Sequence, residues 1–333
     1  MTTRRPSRPK LADVAEAAGV SISTVSRVFS NPERLSPTTV QHVREVAARL
    51  RFAPNLMARA LRAGDSPYLG VVVPDISNPY MTTLLKAAQA RARGRDIVWL
   101  VADTDDAADV ERRVCEQFAQ QTRGILLCAP RMSASHIREI AELSPLMLVN
   151  RPVDGIPCVF TDSAASIAEL VDRLCELGHQ KIAYLPGPVA SWANKARGRM
   201  VGDRVRKRGA TFVKLDPTAA RHEDGVAAAH AVAEHGATAV LAFDDVLAAG
   251  LIEGFRQLKM SVPRDVSVAG HDDVLAGLVQ PGLTTIDGRS AQVAQLAVDR
   301  LLAASEPDTV ADNSHVGVGT QLVWRASTAK PRS

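Results

Sequence analysis

Residues 11–28 read LADVAEAAGVSISTVSRV, a stretch that predicts two short helices joined at Gly19. Glycine permits a sharp turn, and the Ser21 hydroxyl is placed to cap the second helix. Five small apolar side chains recur at helical spacing and are predicted to face inward, namely Val14, Ala15, Ala18, Val25 and Val28. The stretch therefore predicts a helix-turn-helix.

The second predicted helix has an outward face that carries candidate DNA contacts. The residues predicted to lie on this face are Ile22, Ser23, Ser26 and Arg27. The first turns of a recognition helix meet base edges in the major groove, which makes these side chains the candidates to read sequence. A third helix is predicted to begin at residues 36–37, where a capping serine precedes a proline. A three-helix bundle that binds another protein is the alternative interpretation.

Positive charge is concentrated in the same segment. Residues 1–66 contain 11 Lys or Arg against 5 Asp or Glu, whereas the rest of the chain contains 29 against 31. The formal net charge of +4 therefore comes from the N-terminal segment. A basic helix-turn-helix on a nearly neutral body indicates a DNA-binding regulator.

Length and composition limit the class of protein. With 333 residues, of which 46% are hydrophobic, the chain can form two or three domains. Its four cysteines form no CxxC pair, which predicts free buried thiols and neither a zinc site nor a disulfide framework. No apolar run has the length of a membrane span, and no apolar signal core follows the basic N-terminus. We therefore expect a cytoplasmic protein without a membrane partner.

From residue 69 onward, apolar strand candidates alternate with amphipathic helix candidates. The strand candidates are residues 69–73, 97–101, 125–128, 147–149, 182–185, 240–242 and 266–269. The helix candidates are residues 82–93, 110–121, 167–177 and 247–258. Buried strands that alternate with helices indicate parallel sheets with helices on both faces, and the segment is too long for one sheet. The sequence therefore predicts two doubly wound α/β lobes.

Polar side chains follow several of these strands. They include Asp75, Arg151, Asp244 and Asp272. In open parallel sheets, ligands bind at the carboxyl ends of the strands, so two facing lobes would enclose a small molecule among these residues. For each aspartate, a cap on the following helix is an equally good interpretation.

Six motifs occur in one order along almost the whole chain. They are the helix-turn-helix stretch and residues 55–61 (NLMARAL), 78–80 (NPY), 177–179 (LGH), 262–273 (VPRDVSVAGHDD) and 283–286 (LTTI). Together they resemble the lac repressor and gal repressor family of bacterial transcription regulators. The resemblance implies an all-α DNA-binding headpiece (1–54), a hinge helix and linker (55–67), a two-lobed effector domain similar to periplasmic sugar-binding proteins (68–329), and a tail (330–333).

The resemblance also implies roles for single residues of the headpiece. The candidate DNA contacts there are Ser21, Ile22, Ser23, Thr24, Ser26 and Arg27. Arg27 falls on the family's base-contacting arginine, and Ile22 and Ser23 fall where the family varies its base-reading side chains. Ile22 cannot hydrogen-bond a base edge, so contact with a thymine methyl group or exclusion of water is expected of it. Thr24 and Ser26 are expected to bind phosphates.

A hinge helix is predicted from the residues as well as from the resemblance. Asn55 follows a proline and marks a helix start, Gly64 marks a stop, and about two turns of helix are only marginally stable alone. The resemblance implies that this helix forms on DNA, with Leu61 as a wedge in the minor groove and Arg59 on the backbone. Ala58 completes the candidate hinge contacts. A plain linker is the alternative.

In the effector domain, Arg197 falls on the family's cleft arginine and Asp272 on its cleft aspartate. Such a pair suits a polyhydroxylated ligand, so the resemblance implies a sugar or a nucleoside, although a surface salt bridge is the alternative for Arg197. Tyr80 and Trp192 are the best candidates to stack on a sugar ring. The candidate effector contacts are Asp75, Tyr80, Arg151, Trp192, Arg197, Asp244 and Asp272. The chain departs from the family pattern at His271, where the family often has Phe or Tyr.

These features predict a transcriptional regulator, with repression as the family default and an effector-independent regulator or an activator as alternatives. The chain has no GxGxxG, phosphate loop or His-rich cluster, so no enzyme activity, catalytic residue, metal or cofactor is expected. A homodimer on a near-palindromic operator is expected, without a C-terminal leucine heptad to form tetramers. Residues 80–93 offer an apolar stripe that suits either dimer pairing or their own sheet.

Overall fold

The computed structural model of the protein describes residues 9–52, 66–95, 97–275, 277–306 and 312–332. The chain divides into two compact units, Met1–Pro67 and Tyr68–Ser333. The predicted hinge contacts lie outside the described residues: Asn55, Ala58, Arg59 and Leu61. Their roles stay predictions.

Residues 9–52 of the first unit form helices and turns. Helix α1 spans Leu11–Ala18, α2 spans Ile22–Ser30 and α3 spans Pro37–Arg49, with a 3-10 turn at Pro32–Arg34. Gly19 follows α1 with a φ of 64°, a left-handed conformation that glycine adopts without strain. The turn between α1 and α2 therefore depends on this glycine.

Serine caps and a small apolar core fix these helices. The Thr24 N–H donates to Ser21 Oγ at 3.1 Å, and the Thr39 N–H donates to Ser36 Oγ at 3.2 Å. The core contains all five predicted inward residues and three from α3: Val14, Ala15, Ala18, Val25, Val28, Val43, Val46 and Ala47. The predicted helix-turn-helix is confirmed.

The second unit alternates strands with helices along the chain. In chain order its elements are β1 (Tyr68–Val73), α4 (Pro79–Arg91), β2 (Val98–Asp103), α5 (Ala108–Gln121), β3 (Ile125–Cys128), α6 (Ala134–Leu143), β4 (Leu146–Val149), β5 (Cys158–Asp162), α7 (Ala164–Glu176), β6 (Lys181–Leu185), α8 (Trp192–Lys207), β7 (Thr211–Lys214), α9 (His222–Glu234), β8 (Ala239–Ala242), α10 (Asp245–Gln257), β9 (Ser267–Ala269), β10 (Thr285–Asp287), α11 (Ser290–Ala304), β11 (His315–Gly319) and β12 (Gln321–Val323).

Two parallel sheets form two lobes. The first lobe has six strands in the order β11-β5-β4-β3-β1-β2, and the second has four in the order β7-β6-β8-β9. In the first lobe, α4 and α11 cover one face and α5 and α6 the other. In the second lobe, α9 and α10 cover one face and α7 and α8 the other. The prediction of two doubly wound lobes is confirmed.

Within the described ranges, three crossovers join the lobes. The first crossover runs from β5 to α7 at residues 162–164, the second from β10 to α11 at residues 287–290, and the third from β11 to β12 at residues 319–321. Strands β10 and β12 pair antiparallel beside the second lobe. Movement of one lobe relative to the other therefore has to pass through these three segments.

Several elements differ from the sequence prediction or were missed by it. The apolar stripe of α4 is buried against α11 and the sheet of its own lobe, so this stripe is not a surface for dimer pairing. Strand β7 is a half-exposed edge strand, and β10 and β12 have three residues each, which leaves them without a strong apolar run.

The four cysteines are free, three of them buried and Cys175 only partly buried.

Candidate DNA-reading face and effector cavity

The outward side of α2 presents the candidate DNA contacts. Ile22 is 54% exposed, and Ser23 and Arg27 are also exposed, whereas Thr24 and Ser26 are partly buried. Ser21 Oγ lies 2.8 Å from both Ser23 Oγ and Thr24 Oγ1 in addition to its capping bond. These hydroxyls form a polar cluster at the start of α2 that is compatible with phosphate contact.

A cavity of about 60 Å³ lies between the two lobes of the second unit. Its wall comes from segments that follow the carboxyl ends of strands in both sheets, as expected for open parallel sheets. Four of the seven predicted effector contacts line it, namely Asp75, Tyr80, Arg197 and Asp272. The polar groups of the two lobes thus converge on one small space.

Arg197 is the central cation of the cavity. Its side chain is 9% exposed; Nη1 donates to the Phe243 carbonyl oxygen at 2.7 Å, and Nη2 donates to Asp272 Oδ1 at 3.3 Å. The guanidinium also lies over the Phe243 ring, 5.0 Å from its centroid. The alternative of a surface salt bridge for Arg197 is therefore wrong.

Asp272 is held ionised beside Arg197. Burial opposes ionisation, but the charge of Arg197 and a hydrogen bond from His271 outweigh it and lower the pKa of Asp272. A buried carboxylate with an adjacent guanidinium can accept and donate charge-assisted hydrogen bonds to neighbouring hydroxyls.

Asp244 does not line the cavity, contrary to its predicted role. Its Oδ1 accepts from the Leu247 N–H at 2.9 Å, which caps α10, and its Oδ2 accepts from Asn78 Nδ2 of the other lobe at 3.1 Å. Burial is the main cause and the charge of Asp272 the second cause that raise the pKa of Asp244 to about 7. The residue therefore serves as a helix cap and a contact between the lobes.

Arg151 and Trp192 are also absent from the cavity wall. Arg151 Nη1 donates to the carbonyl oxygens of Pro130 and Met132 at 2.7 Å and 2.6 Å, which uses its guanidinium to hold the loop after β3. Trp192 packs edge-on against Phe160, with 6.2 Å between ring centroids. Arg151 thus supports the loop that carries Arg131 of the cavity wall, whereas Trp192 makes its ring contact outside the wall.

Arg131 lines the cavity from the first lobe and was missed in the sequence. Its Nε donates to Asp106 Oδ1 at 2.6 Å, and its backbone N–H donates to the buried Glu111 carboxylate at 2.8 Å. The signal that could have found it is its position just after β3, the same signal that singled out Arg151 after β4.

Asn78 and Asn150 are further cavity residues that sequence reasoning did not assign. Asn150 Nδ2 donates to the Tyr80 hydroxyl at 2.8 Å, and Asn150 Oδ1 accepts from the Thr161 N–H at 2.8 Å. These bonds fix the Tyr80 hydroxyl at the cavity. Uncharged amides carry little sequence signal, because they are common in loops and caps.

The described residues offer neither a metal site nor a membrane-spanning helix. In the described part of the chain, no group of three or more His, Cys, Asp or Glu side chains is arranged to hold a metal ion. None of the helices in the described ranges has the length and apolarity needed to cross a membrane.

The comparisons with known proteins agree with this architecture. Residues 10–55 match the model for bacterial regulatory proteins of the lacI family, and residues 171–328 match the model for a periplasmic binding protein-like domain. The HTH-type transcriptional regulator DegA of Bacillus subtilis (strain 168) is 32% identical over 285 residues, which cover 82% of this chain and 85% of that protein. The chain belongs to the lacI family of bacterial regulatory proteins.

Solved structures share the fold of this lacI-family regulator. The lac repressor dimer bound to operator and the anti-inducer ONPF has a TM-score of 0.83 at 24% identity, over 97% of this chain and 100% of that one. The transcriptional regulator CelR in complex with cellobiose has a TM-score of 0.70 at 22% identity, over 96% of this chain and 100% of that one. The family is made up of DNA-binding transcriptional regulators rather than enzymes.

Proposed function

We propose that this lacI-family regulator represses transcription as a homodimer, and that a small hydroxyl-rich molecule bound between its lobes changes its affinity for an operator. The observation that carries this proposal is the burial of Arg197 and Asp272 against the same cavity that Tyr80 and Asn150 reach from the other lobe. A ligand that bonds to both sides would hold the lobes in one arrangement. A sugar or a nucleoside offers hydroxyls at the required spacing.

The size of the cavity supports coupling between ligand and lobe arrangement. Pockets for small molecules usually measure about 300–1,000 Å³, so a cavity of about 60 Å³ has to widen when a sugar enters. A ligand that favours the wider arrangement shifts operator affinity by its difference in affinity for the two arrangements. The CelR complex, whose ligand is cellobiose, supports a sugar as the first class to test.

On the DNA side, we assign base reading to Arg27 and to the variable positions Ile22 and Ser23. Their exposure on one face of α2 supports the assignment, since a recognition helix needs a face free of core contacts. Leu61 and Arg59 complete the proposed contacts from the hinge. Two copies would read two half-sites, so the proposed functional unit is a dimer. It is proposed to act on DNA in the cytoplasm and to carry out no chemical reaction.

The test combines a ligand screen with DNA binding. Thermal shift of the full-length protein with sugars, polyols and nucleosides identifies molecules that raise its Tm, because a ligand specific for the folded state stabilises it. Operator affinity is then measured by fluorescence anisotropy with and without each hit. A hit that raises Tm and leaves operator affinity unchanged would contradict the proposed control by effector.

One observation favours an effector-independent regulator as the second candidate. Of the two aromatic rings in the cavity wall, Phe243 is covered by Arg197 and Tyr80 is 4% exposed, so neither offers an open face to a sugar ring. A screen without any stabilising compound, together with tight operator binding by the free protein, would favour this candidate.

A further inference from the structure

A buried chain of hydrogen-bonded side chains leads from the cavity to the first crossover. Asp272 Oδ1 lies 2.7 Å from His271 Nδ1, and His271 Nε2 lies 2.8 Å from Ser163 Oγ. The order of groups is that of a hydrolase triad, but Ser163 is 3% exposed and does not line the cavity. A hydroxyl in that position cannot reach a substrate, which leaves a role in holding Asp272.

The protonation states fix the direction of each hydrogen bond. Burial, and then the charge of Arg197, lowers the pKa of His271 to about 4, so its ring is neutral near pH 7 and carries one proton. The ionised carboxylate of Asp272 can only accept, so that proton lies on Nδ1. The Ser163 hydroxyl must then donate to Nε2.

Ser163 is used differently from the other serines that precede helices. At Ser21, Ser36, Ser133 and Ser191, the side chain accepts a hydrogen bond from a backbone N–H of the helix. Ser163 occupies the same position before α7 and makes no capping hydrogen bond. Its hydroxyl, which lies in the first crossover, donates instead to His271 Nε2.

Asp272 needs such support because its backbone is unusual. Its φ is 108°, a region that residues other than glycine rarely adopt and that persists only where the surroundings hold it. The Asp272 N–H donates to the Ile286 carbonyl oxygen at 2.8 Å, which ties the backbone to β10. Oδ1 is occupied by His271 and Arg197, while Oδ2 makes no hydrogen bond to any described residue.

We propose that His271 and Ser163 are positioning residues that aim Oδ2 of Asp272 at the effector and connect this carboxylate to the first crossover. A change in the position of Asp272 on effector binding is then transmitted through the imidazole ring to the segment about which the lobes move. This inference rests on the proposed function, because it takes Asp272 to be an effector contact.

Four variants separate the two hydrogen bonds of His271. His271→Asn keeps an amide N–H near the position of Nδ1, His271→Gln keeps an amide near Nε2, and His271→Phe keeps only an aromatic ring. Ser163→Ala removes the partner of Nε2. The matched control is His179→Phe, since His179 is also 2% exposed and makes two hydrogen bonds in the same lobe, to Thr238 and Ala329, without lining the cavity.

Titration calorimetry of the full-length protein with cellobiose, D-galactose and uridine measures the effect on binding. For the probes that wild type binds, His271→Phe and His271→Gln should weaken binding about tenfold or more, as expected for loss of a charged hydrogen bond. His271→Asn should rescue binding to within about threefold of wild type. Binding by folded His271→Phe within twofold of wild type, or equal losses in His271→Phe and His179→Phe, overturns the inference and leaves the proposed function intact.

Nitrogen NMR of protein labelled with ¹⁵N in its histidine rings tests the same inference without a ligand. The His271 signals, assigned by their loss in His271→Phe or His271→Asn, should show a proton on Nδ1 and a bare, hydrogen-bonded Nε2 at pH 7. Ser163→Ala should move the Nε2 signal and leave Nδ1 protonated. A proton on Nε2 in wild type overturns the inference. If wild type binds none of the probes, the proposed function fails for these ligands and the NMR result alone decides the positioning of Asp272.

Discussion

The DNA-reading face of α2 and the effector cavity are built in opposite ways. On α2, the partners that matter are neighbours in sequence, as in the Ser21 cap on Thr24, and the side chains assigned to base reading are exposed. In the cavity, the partners are far apart in sequence: Tyr80 and Asn150 are separated by 70 residues, and Arg197 and Asp272 by 75. The cavity groups are also buried, so their charges depend on one another. A substitution on α2 should therefore change only the contacts of the substituted residue. A substitution at the cavity should also change the charge or the orientation of its buried partners.

The largest expected effect is on operator specificity and comes from Arg27, on the exposed face of α2. Arg27→Ala should remove preference for the operator, because a bidentate contact between arginine and guanine contributes about 1–3 kcal/mol and a dimer would make it twice. Non-specific, salt-sensitive DNA binding should remain. Competition between operator and random DNA gives the specificity ratio. The control is Arg49→Ala, an exposed arginine at the end of α3, and an equal loss of specificity in both variants would argue against base reading by Arg27.

At the cavity, Asp272→Asn should lower effector affinity about tenfold to a hundredfold, because it removes the negative partner of buried Arg197 and a charged acceptor. Operator binding by the free protein should be unchanged. Calorimetry with a compound identified in the thermal-shift screen measures the loss. Asp273→Asn is the matched control, since Asp273 pairs with Arg325 and does not line the cavity. Comparable losses at both positions would mean that the loop, rather than Asp272, determines affinity.

Interdependence of buried charges predicts a pH effect at Asp244. The pKa of Asp244 in the folded state, about 7, exceeds the value of about 3.9 for an exposed aspartate, so folding favours the protonated carboxyl. The contribution of this proton to the free energy of unfolding is complete below about pH 4 and is lost as the pH rises through 7. Asparagine cannot ionise. The Tm of Asp244→Asn relative to wild type should therefore rise by several degrees between pH 5 and pH 8. Asp109→Asn, at an exposed site on α5 where a hydrogen bond from Arg113 lowers the pKa of Asp109, should give a constant difference, and the same constancy for Asp244→Asn would rule out this ionisation.

The smallest expected effect compares two local caps. Ser21→Ala in the first unit and Ser133→Ala in the second each remove one side-chain acceptor, worth about 1 kcal/mol, from the first turn of a helix. Amide exchange at Thr24 and His136, respectively, should become about fivefold faster. Only Ser21→Ala should also weaken operator binding. If Ser21→Ala changes neither exchange nor operator affinity, the cap does not order α2.

The success of the sequence prediction follows the same division between local and distant contacts. The caps, the turn at Gly19 and the inward faces of α1 and α2 were predictable, because helical periodicity and capping chemistry act over four residues or fewer. The two parallel lobes were predictable from alternating apolar runs. Edge strand β7 and the short strands β10 and β12 were not, since their pairing depends on segments far away in the chain.

By itself, the sequence determined the helix-turn-helix, the concentration of positive charge, the two α/β lobes and the placement of polar groups after strands. Only the tertiary structure decided which of those polar groups meet: Arg131 rather than Arg151 lines the cavity, and Asp244 contacts Asn78 without lining the cavity itself. The chain of Asp272, His271 and Ser163 likewise forms only when the strand ends and the first crossover come together. The physical reason is that helix faces follow from bonds within one segment, whereas the ionisation and orientation of buried polar groups follow from neighbours that folding brings together.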